Sequence, residues 1–360
     1  MNPIGRMRWL VVLITMALAI ALSLQGLSTT GYAKKKKDKT RSGTRVLWRD
    51  PGNIRERDLY HGPGSSELAP KPPFHFLKED LEGGMPKFDV KDAAGVKWRV
   101  KLGPEAQTET VANRLIWAVG YNAQEAYYFD RVHIDGMQPL SRGKQYVTGE
   151  YVRGARFEPR RKDVERGEHW GWKKNPFKNT RELDGLKTMM VLLNNWDVFK
   201  KNNRVLRVKG ESGTEDRYTV TDLGATFGSA GGFGGRRRTK NNLRDFERYR
   251  MVRKVEDGKV KFDYDIRPKG LGLVTMAYPP YFFRQQKANS AVTKVRTDHA
   301  LWIGSLLGQL SDDQLRDSFR AAGYDRATTE GYVRTLRRRI NELNQIEQSQ
   351  IASRQRRIQK

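Results

Sequence analysis

The stretch NNWDVFKKNN, Asn194–Asn203, decides how the chain is read. It closes the apolar run LKTMMVLL and leads into the β-prone segment RVLRVKG. Asp and Asn are turn formers whose short side chains bond nearby backbone, so one explanation is a loop rich in local hydrogen bonds. The other is a gathering of oxygen ligands, because Asp197 and Asn202 offer a carboxylate and an amide. The segments that follow favour the second. RVLRVKG and RYTVTD flank a glycine-containing turn and predict a hairpin over 204–209 and 216–221. Antiparallel pairing places the outer ends of the two strands together, with Asn202 and Asn203 before the first and Asp222 after the second. Carboxylate and amide oxygens suit Mg²⁺, which also accepts phosphate oxygens.

Upstream, FHFLKEDLEGGMPKFDVKDAAGVKWRVKLG predicts three antiparallel strands, over 74–79, 86–91 and 96–102, broken at Gly83-Gly84 and Ala94-Gly95. PEAQTETVANRLIWAVGY then opens on Pro104 and closes on Gly120, with Val111, Leu115, Ala118 and Val119 at helical spacing. A further strand is expected over 127–134. Residues 140–180 are polar and basic and show no usable period. Within them, EHWGWKKNPF reads as a corner of the core, although Trp170 and Trp172 beside lysines could also stack bases or sugars. NTRELDGLKTMMVLL is a helix, with Asn179 and Glu182 spaced as a capping box. SAGGFGGRRRTKNN reads as a flexible loop, and the chain beyond it as mainly helical. There Ser311 and Gln314 fit a capping box, while Tyr332, Leu336, Ile340 and Leu343 form a stripe that suits a core.

Composition narrows the function classes. The absence of cysteine excludes disulfides, thiolate metal sites and cysteine nucleophiles. The histidines, His61, His75, His133, His169 and His299, include no pair at metal-ligand spacing, which leaves zinc and Ser-His-Asp chemistry unsupported. Residues 1–33 have a basic start, an apolar core of 16 residues at 9–24 and small residues at Gly31 and Ala33. This is the pattern of a secretory signal peptide, implying export to the periplasm or exterior. The lysines of KKKKDK directly after it resist translocation, so an N-terminal membrane anchor through residues 9–24 is the alternative. The formal net charge is +27, and loss of residues 1–33 with Arg6 and Arg8 leaves +25. Such a surplus favours anionic partners: nucleotide phosphates, an acidic protein or envelope acceptor, anionic lipid or, less favoured, nucleic acid. Residues 34–73 read as a basic, Pro/Gly-rich tether, with structure beginning near Phe74, and residues 347–360 as an exposed tail.

The order of these elements carries a resemblance. Lys101 ends a strand in WRVKL, a helix with Glu105 and Glu109 follows, and then come NWDVFKKN, a hairpin and DLGATFG. This series resembles the protein-kinase-like superfamily, closest to its atypical branch of HipA-type, phosphatidylinositol-kinase-like and secretory-pathway kinases. The resemblance spans roughly residues 74–310, with specific matches confined to the short motifs. It implies an α+β, bilobal fold: a small antiparallel-sheet N-lobe over 74–150 and a helical C-lobe over 151–346. It also implies ATP and Mg²⁺ as cofactors. By position, Asp197 would be the catalytic residue that orients or deprotonates the attacking hydroxyl, and Asn202 and Asp222 the metal ligands. Lys101 would contact the α/β-phosphates, steadied by Glu109 in preference to Glu105. Gly83 and Gly84 would let backbone N–H groups approach phosphate. Asn195 and Trp196 depart from the usual His-Arg of the catalytic loop, Leu223 replaces phenylalanine, and Arg99 stands where a small residue normally leaves room beneath adenine. The expected function is phosphoryl transfer, or nucleotidyl transfer, to a hydroxyl of a protein or envelope acceptor. The alternatives are an exported pseudokinase acting as a binding module and a basic polyanion-binding envelope protein.

Overall fold

Alternation along KWRVKL orients the first sheet. Trp98, Val100 and Leu102 are buried, while Lys97, Arg99 and Lys101 occupy the opposite face, as a period of two requires. In the computed structural model of the chain, which describes residues 43–210, 213–231, 238–266 and 279–346, this segment is strand β4 (Lys97–Leu102). With it pair β2 (His75–Glu79), β3 (Lys87–Lys91), β5 (Tyr127–His133) and β7 (Tyr151–Pro159) in the order β2-β3-β4-β7-β5, and the short β6 (Val147–Thr148) adds to β7. Every pairing in this sheet is antiparallel. Phe74, Phe88, Trp98, Phe157 and Val152 fill its apolar face under Ile134, Met137 and Leu140.

The strands expected over 74–79, 86–91, 96–102 and 127–134 form at nearly those limits. β7 lies in the stretch where no period was readable, and it joins the first sheet. That sheet therefore runs to Pro159, and the boundary expected after residue 150 is displaced.

Helix α1 (Pro104–Ala118) follows β4 directly, with Pro104 in its first turn and Gly120 just past its end. Gly120 is required there: its φ is +93°, and a Cβ would lie 2.1 Å from Arg49 O. What approaches it is the segment expected to be a tether. Residues 43–73 instead wrap the molecule. Strand β1 (Thr44–Val46) pairs in parallel with a strand of the second sheet, and Leu47, Ile54 and Leu59 are buried. Gln314 Nε2 donates to Ile54 O and Arg57 O, at 2.8 and 2.9 Å. Its Gly/Pro/Ser content produces turns rather than freedom, because apolar residues spaced among them find the core.

The second sheet has the order β1-β10-β9-β8, built from β8 (Glu165–His169), β9 (Asn203–Gly210) and β10 (Gly213–Val220). Between β8 and β9 stands α2 (Arg181–Leu192). Its cap is not the Asn179–Glu182 box. Asn179 adopts a left-handed φ of 69°, and Thr180 caps the helix by accepting from Leu183 N at 3.2 Å. Trp170 and Trp172 are buried edge-to-face at 5.1 Å, a corner of the core.

The remainder is not only helical. After α3 (Leu243–Glu247) comes a small antiparallel sheet of β11 (Val252–Glu256), β12 (Lys259–Phe262) and β13 (Lys294–Arg296), its last strand separated from the others by the first of the final four helices. These are α4 (Pro279–Val292), α5 (Thr297–Gly308), α6 (Asp312–Arg320) and α7 (Arg326–Asn344). The Ser311–Gln314 capping box forms, and Tyr332, Leu336, Ile340 and Leu343 are buried. Among the described residues, no helix is long and apolar enough to cross a membrane. The signal-peptide or anchor segment 1–33, the tail 347–360 and the centre of the glycine-arginine loop, 232–237, lie outside the described residues.

Candidate functional site

The charged face of the first sheet and the hairpin β9–β10 bound one cleft of ≈ 1390 Å³. Lys101, Glu109, Asp197, Asn202, Asp222, Gly83 and Gly84 all line it.

At its inner end Lys101 is surrounded by acid. Its Nζ lies 2.5 Å from Glu109 Oε1 and 2.7 Å from Glu105 Oε2. Both carboxylates come from α1, one turn apart, so the helix presents them on one face. Glu109 is therefore not chosen over Glu105: the lysine takes both. Lys240 holds the other oxygen of Glu105. Burial works against the Lys101 ammonium, but Glu109, Asp222 and Glu105 hold its pKa above the ordinary lysine value. Burial likewise disfavours the Glu105 carboxylate, yet Lys101 and Lys240 pull its pKa below the usual glutamate range. Glu109 is 2% exposed. That burial pushes its carboxyl upward, against Arg156 and Lys101, which favour the charged form.

The loop of the opening stretch is built by its own side chains. Asn194 sits at a φ of 50°. Asn195 Oδ1 accepts from Asp197 N at 2.9 Å, and Asn202 Nδ2 donates to Asp197 O at 2.7 Å. Thus the local hydrogen bonds expected of Asn-rich turns are present, and they fix Asp197 at the cleft. Trp196 N and Nε1 tie the loop to Ala225 O and Thr239 O, at 3.2 and 2.9 Å.

Hairpin pairing does what its outer ends implied. Asn203 is opposite Val220, and Thr221 N donates to Asn202 O at 2.8 Å, so Asp222 follows directly beside Asn202. Asp222 Oδ1 accepts from Gly224 N at 3.3 Å. The glycine of DLG has a steric reason: a Cβ there would stand 2.7 Å from the carboxyl carbon of Glu105. Glu105, Glu109 and Asp222 each bring a carboxylate oxygen within 4.8 Å of the others. For a Mg²⁺ ion, the donor chemistry fits at Asn202 and Asp222. The Asn202 amide commits its Nδ2 to the loop, which leaves its oxygen as the atom to offer a cation, while Asp222 supplies a hard anionic oxygen.

Gly83 and Gly84 sit at the rim, in the connection from β2 to β3. Gly83 has a φ of +69°, and its carbonyl accepts from Arg142. Nothing lies within 4 Å of a Cβ placed at Gly84. Arg99 lines the cleft without reaching across it. Its guanidinium is drawn sideways to Asp89 on β3 and to Asp80.

Two contributors were not read from sequence. Arg156 and Glu158 lie on the cleft face of β7, where Arg156 is the register partner of Lys101 and Glu158 that of Arg99. Arg156 Nη2 is 2.9 Å from Glu109 Oε2 and 3.0 Å from Glu158 Oε2. The alternation Ala155-Arg156-Phe157-Glu158 carried the signal, with Ala155 and Phe157 buried on the other face. Comparison with protein-family models, curated proteins and solved structures found no match to this chain.

Proposed function

We propose that the chain is a kinase-like phosphotransferase, with a bilobal arrangement in which the first sheet and α1 form the smaller lobe. The observation that carries this reading is the convergence, in one cleft, of the Lys101–Glu109 ion pair with the Asp197–Asn202 loop and Asp222. Lys101 would hold donor phosphates, and Glu109 keeps its ammonium in place. Asp197 would accept the proton of the acceptor hydroxyl as that oxygen bonds to the γ-phosphorus and the bond to the leaving ADP oxygen breaks. Mg²⁺ held by Asn202 and Asp222 would neutralise charge on the transferring phosphates. Placement of Arg99 against Asp80 and Asp89 leaves the cleft open for a donor, which weighs against the binding-module alternative.

The test is thermal unfolding of the full chain with and without Mg-ATP, beside Asp222→Ala, followed by transfer of label from γ-labelled ATP. A donor site stabilises the fold by about 2.7 kcal/mol at a hundredfold excess over Kd. That gain should require Mg²⁺ and vanish in the variant. No gain at millimolar nucleotide would sink the proposal.

One observation supports the polyanion-binding alternative: Arg160, Arg161, Arg166, Lys201, Arg204 and Lys209 line the outer cleft. It predicts binding to polyanions that falls steeply with salt and is not weakened by substituting Asp197 or Asp222. On the phosphotransferase reading, the same cations would receive an anionic protein or envelope acceptor, outside the cytoplasm if the N-terminal segment directs export.

A further inference from the structure

Arg156 is a guanidinium at 4% exposure on the cleft face of the sheet, one strand over from Lys101. It is charge-balanced by Glu109 and Glu158, but only through one nitrogen: Nη2 serves both carboxylates. Its Nε and Nη1 have no hydrogen-bond partner among the described residues. A buried arginine ordinarily uses all of its N–H groups, since each one left unpaired forfeits hydration without compensation. Here the remaining N–H groups belong to a residue that lines the inner end of the cleft. The neighbouring lysine is already gripped by Glu105 and Glu109. Arg156 is likewise balanced by two carboxylates, so what sets it apart is its two unused N–H donors and not a surplus of charge.

We propose that Arg156 is a second phosphate-binding residue, acting with Lys101 on the polyphosphate of the donor. The ligand class follows from the donors: tetrahedral oxyanions accept several charge-assisted N–H bonds at once, and guanidinium is the side chain suited to supply them. The identity of that polyphosphate as a nucleotide's rests on the phosphotransferase reading, whereas the anion site itself does not.

The experiment is calorimetric titration of the full chain with Mg-tripolyphosphate, Mg-ATP and adenosine, for the wild type, Arg156→Met and Arg156→Lys. Tripolyphosphate and ATP affinity should fall roughly 10–100-fold in Arg156→Met, as expected for lost charge-assisted hydrogen bonds, with adenosine affinity unchanged. Arg156→Lys retains a counter-cation for Glu109 and Glu158, so it keeps the assay informative if the methionine variant fails to fold. Its expected loss is smaller, on the order of 5-fold, because ammonium lacks the planar fork. Unaltered polyphosphate affinity in either folded variant overturns the inference. So does an equal loss for adenosine, which would mark a merely structural role, and so does a wild type that binds no polyphosphate. The two proposals fail separately. Tripolyphosphate binding that depends on Arg156, without ATP binding or label transfer, upholds the anion site and removes the phosphotransferase. Label transfer with Arg156-independent affinity does the reverse.

Discussion

Replacing Glu109 by Gln removes one charge and almost no volume from the centre of the ionic network. Glu109 is 2% exposed and lies 2.5 Å from Lys101 and 2.9 Å from Arg156. Breaking a buried ion pair from one side costs more than the pair contributes, since the partner's charge stays behind without compensation. In this network both cations retain an acid: Lys101 keeps Glu105, and Arg156 keeps Glu158. The expected loss therefore sits at the low end for a buried pair, about 3 kcal/mol. Urea unfolding of the full chain, followed by tryptophan fluorescence, reads it as a fall in the midpoint at unchanged slope. The double variant Glu109→Gln/Arg156→Met should lose less than the sum of the single ones, because neither member of the Glu109–Arg156 pair is then left facing the gap of the other. A loss under about 1 kcal/mol for Glu109→Gln is the range of a solvent-exposed pair. It would mean that Glu109 is not desolvated between two cations, and the account of how Lys101 is held would be wrong.

Two further outcomes are expected. Ile54→Ala, in the segment that wraps the molecule, should cost about 3 kcal/mol as a buried aliphatic truncation; a free tether would show no change in the same urea assay. Glu105→Gln tests the lowered Glu105 pKa by its sign. A carboxyl whose folded pKa lies below its ordinary value of 4.5 stabilises the fold above that value and loses the contribution as pH falls through the folded pKa. The wild type should therefore exceed the variant in urea midpoint at pH 7, and the gap should narrow as pH falls below 4.5 through the lowered folded pKa.

Which parts of the fold could be read from sequence follows from how local each signal is. β3, β4, the β9–β10 hairpin and α1 carry period and turn chemistry within their own residues, so they were visible. β7 was not, because its meaning is lateral. Arg153, Arg156, Glu158 and Gly154 interrupt its apolar pattern, and only pairing with β4 and β5 makes one face of it a core. The wrap of 43–73 was hidden for a related reason: Leu47, Ile54 and Leu59 are too sparse to form a period, yet each has a place in the core. The site divides the same way. Lys101, Asp197, Asn202 and Asp222 stand in short ordered motifs. Arg156 enters only because it is opposite Lys101, which is a property of register and not of its neighbours in the chain.

The same distinction bears on how firmly the Lys101–Glu109 pair is set. An ion pair between a strand and a helix is as fixed as the helix, and α1 is anchored along its length. Gln107 Nε2 donates to Ala322 O at 3.1 Å and its Oε1 accepts from Asn241 at 3.0 Å, while Thr108 Oγ1 donates to Gly224 O at 2.9 Å. In the middle, Arg114 Nε and Nη2 reach Tyr60 O at 3.1 and 2.9 Å. At the end, Arg49 N donates to Gly120 O at 2.9 Å, and Trp48 Nε1 donates to Val119 O at 2.6 Å. These partners come from the wrap, from the segment after Asp222 and from the turn after α6, three parts of the chain with no shared element. Displacing α1 would break hydrogen bonds to all three at once, and Thr108, Arg114 and Val119 among them are buried, where a lost bond costs most. Glu105 and Glu109 are thereby held at the strand end, and the segment carrying DLG is tied to the helix that grips Lys101. Any displacement of this helix would have to release the wrap first.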